Sequence, residues 1–93
     1  MGLIFEWNIN KAKTNILKHT ISFEEAATVF GDNRSLTIDD ISHSLYEKRK
    51  VTLGLSANNG LLVVVHTCRG ERIRIISARK ASKKERKQYE QEA

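Results

Sequence analysis

An α+β fold, with helices packed on one face of a twisted antiparallel sheet, is predicted by three observations. Ser22–Glu25 and Ser82–Glu85 both have the S-x-x-E form of a capping box, the usual opening of a helix. Between them, runs rich in β-branched residues are separated by Asn58-Asn59-Gly60 and by Gly70, which are turn signals of an antiparallel meander. From Arg49 to Ala57, Val51, Leu53 and Leu55 alternate with Lys50, Thr52, Gly54 and Ser56, the pattern of a sheet covered on one side only.

Each element follows in order. Leu3 to Trp7 is a short apolar strand, and Asn10 opens a helix to about Lys18 with Ala12 and Ile16 on one face. After Ser22, the residues Phe23, Ala26, Ala27 and Phe30 repeat at helical spacing, and Gly31 stops the helix. Ser35 to Asp39 is a strand. Arg49 to Ala57, Leu61 to Arg69 and Arg72 to Arg79 form the meander, with LLVVVHT the most buried strand, and a final helix follows Ser82. Phe5, Trp7, Phe23 and Phe30 belong to the core.

Composition limits the function. The 93 residues fit a single domain, 1–93, with a modest core. The longest apolar run, Leu61 to Val65, is far below the roughly 18 residues of a membrane span. The opening MGLIFEWN has no signal-peptide character, so the chain is expected to be cytoplasmic and to have no membrane partner. A single cysteine, Cys68, makes no internal disulfide. His19, His43 and His66 are scattered and Asp39-Asp40 is the one acidic pair, so neither a metal nor another cofactor is expected.

The charge is unevenly placed. Arg69 to Lys87 holds nine basic residues against Glu71 and Glu85, a local charge of +7, whereas the rest of the chain carries −2. Such a segment is the electrostatic footprint of a polyanion partner, RNA or DNA. RNA carries its own nucleophile in the 2′-hydroxyl, so an enzyme acting on it needs mainly to orient that group, take its proton and stabilise charge on phosphate. Arginine suits the last task because its guanidinium is planar and permanently charged.

Arg69 and Arg79 are therefore assigned to the phosphate. Arg74 is either an RNA binder or the partner of a buried carboxylate such as Glu47 or Glu71. Strict alternation puts Arg74 and Arg79 on opposite faces, and they share a site only if the strand bends or bulges near Ser77 and Ala78. His43 and Glu47, just before Arg49, are either a catalytic pair or a loop tie. His66, on so apolar a strand, reads as a core histidine rather than a general base, and Lys11 and His19 stay open. Arg49, Lys80, Lys83 and Arg86 are assigned to the RNA backbone, and Tyr89 either stacks on a base or packs on the sheet.

The stretches FEWN, KHTISFEEAATVF, HSLYEKR, LLVVVHTCR and RIRIISARKASKKER resemble the BrnT toxins of bacterial type II toxin-antitoxin modules over nearly the whole chain. Asn8 stands where that family more often has aspartate. The resemblance implies a RelE-like fold, an RNA-cleaving activity that stops translation, and a cognate BrnA antitoxin whose ribbon-helix-helix part carries the complex to promoter DNA. A non-catalytic nucleic-acid-binding or regulatory subunit is the other reading of the same basic surface.

Overall fold

The computed structural model describes residues 2–41 and 47–92. Its elements are β1 (Ile4–Trp7), α1 (Ile9–His19), α2 (Phe23–Thr28) with a 3-10 turn at Val29–Gly31, β2 (Leu36–Asp39), β3 (Arg49–Leu55), β4 (Leu61–Arg69), β5 (Arg72–Lys80) and α3 (Lys83–Glu92). They form an α+β fold around one five-stranded sheet in the order β1-β5-β4-β3-β2. The meander β3-β4-β5 is antiparallel as expected, with Asn59 and Gly70 at positive φ in its two turns. The sheet as a whole is mixed, because β1 adds to the outside of β5 in parallel, pairing Phe5 with Ile73 and Trp7 with Ile75.

Helices cover both faces rather than one. On the first face, α1 and α2 bury Ala12, Ile21, Phe23, Ala26 and Val29 against Leu62, Val64, Ile75 and Ala78. Each large apolar side chain buried there contributes about 2 kcal/mol. On the second, Tyr89 of α3 closes a smaller cluster with Leu53, Leu61 and Val63. The alternation in β3 suggested a wet face because its second set is small and polar. Thr52 and Ser56 are nevertheless buried, and hydrogen bonds replace water: the Ser56 hydroxyl donates to the Glu25 carboxylate at 2.7 Å, and Thr52 bonds Thr37 and His66. Gly54 lies so close to the 3-10 turn that an added Cβ would sit 2.8 Å from Val29 Cγ1.

Helix α1 also differs from its expected form. It starts earlier, capped by Asn8, whose Oδ1 accepts from the N–H groups of Asn10 and Lys11. Its inner face is Ala12 with Asn15, whereas Ile16 is about half exposed. The buried Asn15 carboxamide accepts from the Ala78 N–H at 3.1 Å and donates to the Ala78 carbonyl at 2.8 Å and the Ile21 carbonyl at 2.9 Å. It thus serves as a strand partner for β5 beyond the end of β1.

Replacing Asn15 with alanine leaves those backbone groups of Ala78 and Ile21 buried without partners. The expected loss is about 3 kcal/mol of unfolding free energy, measured by denaturant titration, whereas Ile16→Ala on the next position should lose less than a third as much.

Candidate RNA-binding face

In β5 one residue is out of step. Val65 pairs with Ser77 and His66 with Ile75, so Ile76 is extra and the strand bulges there, one position before the region where alternation required it. Pairing of Val63 with Arg79, Val65 with Ser77 and Thr67 with Arg74 puts Arg74, Ser77 and Arg79 on one face of the sheet. Arg49 joins them opposite Thr67, and Arg69 pairs with Arg72. Five of these arginines, at 49, 69, 72, 74 and 79, therefore share the α3 side of the sheet. Among the described residues, no helix covers its Arg69 end.

Two carboxylates order the exposed half of this face. Glu6 on β1 accepts from Arg74 at 2.7 Å and lies 3.7 Å from Arg72. Glu47 lies 3.4 Å from Arg69 and 3.8 Å from Arg49. Arg74 has the carboxylate partner that sequence allowed it, but that partner is Glu6 in place of Glu47 or Glu71. The signal for Glu6 was present: with Phe5 and Trp7 pointing inward, the residue between them points outward beside the arginine strand. A cleft of about 380 Å³ lined by Asp39, Ile41, Lys48, Arg49 and Lys50 adjoins this end of β3.

Arg79 lies apart, where α3 begins. Its guanidinium makes two 2.8 Å bonds to Glu85, which also accepts from the Ser82 N–H at 2.8 Å and completes the capping box. The Arg79 hydrogen bond chiefly, against an opposing contribution from burial, holds the Glu85 carboxyl down at about 2. Lys80, Lys83 and Arg86 are exposed around the same helix start.

The other sequence-derived residues fall as follows. Tyr89 is buried and packs on the sheet, its hydroxyl donating to Asp32 at 2.6 Å, so its ring is not a stacking platform. His43 lies outside the described residues. His66 is a core histidine: its Nε2 is 2.7 Å from the Thr52 hydroxyl and its ring meets Phe30 edge-on at 4.8 Å. Burial first, and then the Lys50 charge, lower its pKa to about 4. Lys11 and His19 line a separate cleft beside β5. Among the described residues, no three His, Cys, Asp or Glu side chains gather to hold a metal ion, and no helix is long and apolar enough to cross a membrane.

A family model described as the ribonuclease toxin, BrnT, of type II toxin-antitoxin systems matches residues 7–85. Among solved structures, the chain is similar to the crystal structure of the Brucella abortus ribonuclease toxin BrnT. The two share 20% identity and a TM-score of 0.67, over 88% of this chain and 100% of that one, a likeness that speaks for the fold. No curated protein sequence matches.

The core placement of His66 has a pH signature. Its folded pKa lies below the value of 6.5 for the free side chain, so between about pH 6.5 and 4 the unfolded chain binds a proton that the folded one does not. Stability should fall as pH drops through that window and stay flat above it. His66→Gln should remove this part of the dependence in denaturant titrations, and the ring resonances should titrate with a midpoint near 4.

Proposed function

The chain belongs to the BrnT family of ribonuclease toxins of type II toxin-antitoxin systems, and from that premise we propose that it cleaves RNA without a metal, by attack of a ribose 2′-hydroxyl on the adjacent phosphodiester, and so inhibits translation. The observation that carries this reading is the placement of arginines 49, 69, 72, 74 and 79 on one side of the sheet, the first four around Glu6 and Glu47 and Arg79 apart beside Glu85. In the proposed reaction the 2′-oxygen bonds to phosphorus and the bond to the 5′-oxygen breaks. Glu47 or His43 takes the 2′ proton, and the resulting acid returns one to the departing 5′-oxygen. Arg69 stabilises the charge developing on the cleaved phosphate and Arg79, at the other end of β5, that of a phosphate further along the strand, while Arg49, Arg74, Lys80, Lys83 and Arg86 hold the backbone.

The proposed setting is the cytoplasm, as one 1–93 unit, with a BrnA-type ribbon-helix-helix antitoxin as partner and promoter DNA touched only through that complex. A basic surface left bare would bind nucleic acid indiscriminately. The antitoxin is therefore proposed to lay acidic or apolar groups over Arg69–Lys87 and compete with RNA.

Purified protein incubated with RNA in EDTA should yield fragments ending in a 2′,3′-cyclic phosphate or 3′-phosphate. A strand with one 2′-deoxy substitution at the cleavage site should resist. Arg69→Ala should lower the cleavage rate on the order of 10²-fold with a smaller change in binding. RNA that stays intact but shifts on a gel would favour the non-catalytic binder, and cleavage of the deoxy-substituted strand would exclude 2′-hydroxyl attack. For the partner, Arg79→Ala combined with Lys83→Ala should weaken antitoxin affinity. If affinity is unchanged while cleavage is lost, the inhibitor acts elsewhere.

A further inference from the structure

Beyond Ile75, β5 has no β1 neighbour, and α1 runs beside its open edge. Between them lies a cleft of about 220 Å³ lined by Lys11, Thr14, Asn15, Lys18, His19, Ile76 and Ser77. Three features set it apart from an ordinary solvated helix side. Its floor is fixed, because the buried Asn15 carboxamide bonds both backbone groups of Ala78. Its lysines are uncompensated: Lys11 and Lys18 make no ion pair among the described residues, whereas Arg69, Arg72, Arg74 and Arg79 each face a carboxylate. Finally, it is continuous with the arginine face, because the bulge at Ile76 turns Ser77, which lines the cleft, to the side that carries Arg74 and Arg79.

We infer that this cleft is a second backbone-binding subsite for RNA, in which Lys11 and Lys18 take phosphates of the segment that runs on from the arginine face around the open edge of β5. This rests on the reading of the arginine face as an RNA site and extends it to an element outside the basic segment Arg69–Lys87. A phosphate entering the cleft displaces no internal ion pair, so it is taken without breaking an existing contact. The two lysines are seven residues apart, roughly 10 Å along the helix axis, which suits contacts to separate phosphates better than a clamp on one. Contacts of this kind carry no base information; they add affinity and salt dependence, and fix the direction in which the strand leaves the site.

The test uses a 2′-O-methyl oligoribonucleotide, which keeps the phosphates but has no nucleophile. Its affinity is measured against salt for the wild-type chain and for variants checked to be folded by circular dichroism. Lys11→Ala/Lys18→Ala should weaken binding about tenfold near physiological salt. It should also flatten the slope of log affinity against log salt by about 1.4, the value for two lost phosphate contacts on a single strand. Lys13→Ala, which removes the same charge as Lys18→Ala from an exposed α1 position outside the cleft, should change binding less than Lys18→Ala. An unchanged slope in the double variant, or equal effects of Lys13→Ala and Lys18→Ala, would overturn the subsite. Cleavage of ordinary RNA by the wild-type chain is read separately, so loss of the subsite with cleavage intact is distinguishable from failure of the ribonuclease reading.

Discussion

Because Ile76 has no partner on β4, the second half of β5 is turned by one step of the pleat relative to the first. Had β5 alternated without the bulge, Arg79 would share a face with Ile75 and its guanidinium would have to enter the α1-α2 core, while Ala78 would turn to the side of Arg74. With it, Ile75 and Ala78 both point into that core while Arg74 and Arg79 point away from it. One bulge therefore reconciles an apolar interior with a cationic exterior on a strand that has to supply both.

A bulge of this kind needs support, since the strand beyond it has lost its neighbour on one side. Asn15 supplies it from α1 by engaging both polar groups of Ala78, and the Ala81 N–H continues the ladder onto the Leu61 carbonyl. Downstream, α3 is held at its start by Glu85 and along its length by Tyr89, which reaches Asp32. Asp32 also accepts from the Leu55 N–H at 2.9 Å, so the end of β3, the turn after α2 and α3 meet at one carboxylate.

The parts of this design that were legible in sequence are those with local causes. The meander, the Ser22 and Ser82 helix caps and the positive-φ turns depend on residues within a few positions of one another, as does the buried character of LLVVVHT, although the Glu25 carboxylate bonds Ser56 in place of closing the first capping box. The parts that were not legible depend on distant partners. Asn15 sits in a lysine-rich helix and reads as a solvent position, because Ala78, which makes it a core residue, is 63 positions away. Ile75-Ile76-Ser77 contains no glycine to mark a bulge, so only a requirement for one, drawn from the arginine parity, was available. Parallel addition of β1 follows from how the chain closes on itself, and Thr52 and Ser56 look like surface residues until Glu25 and Thr37 are seen to satisfy them.

Glu85 holds two things at once: the first turn of α3 and the guanidinium of Arg79. Any anion that takes Arg79 in the same bidentate manner must take it from Glu85, so the two occupancies are linked and each weakens the other by the same factor. The displaced carboxylate keeps its bond to Ser82 but loses its counter-ion, and the helix start becomes the less charge-compensated end, while Tyr89 still holds the rest. The geometry thus makes α3 a reporter of what Arg79 is bound to: the order of a helix at the end of the chain is tied to the occupancy of a guanidinium on the sheet.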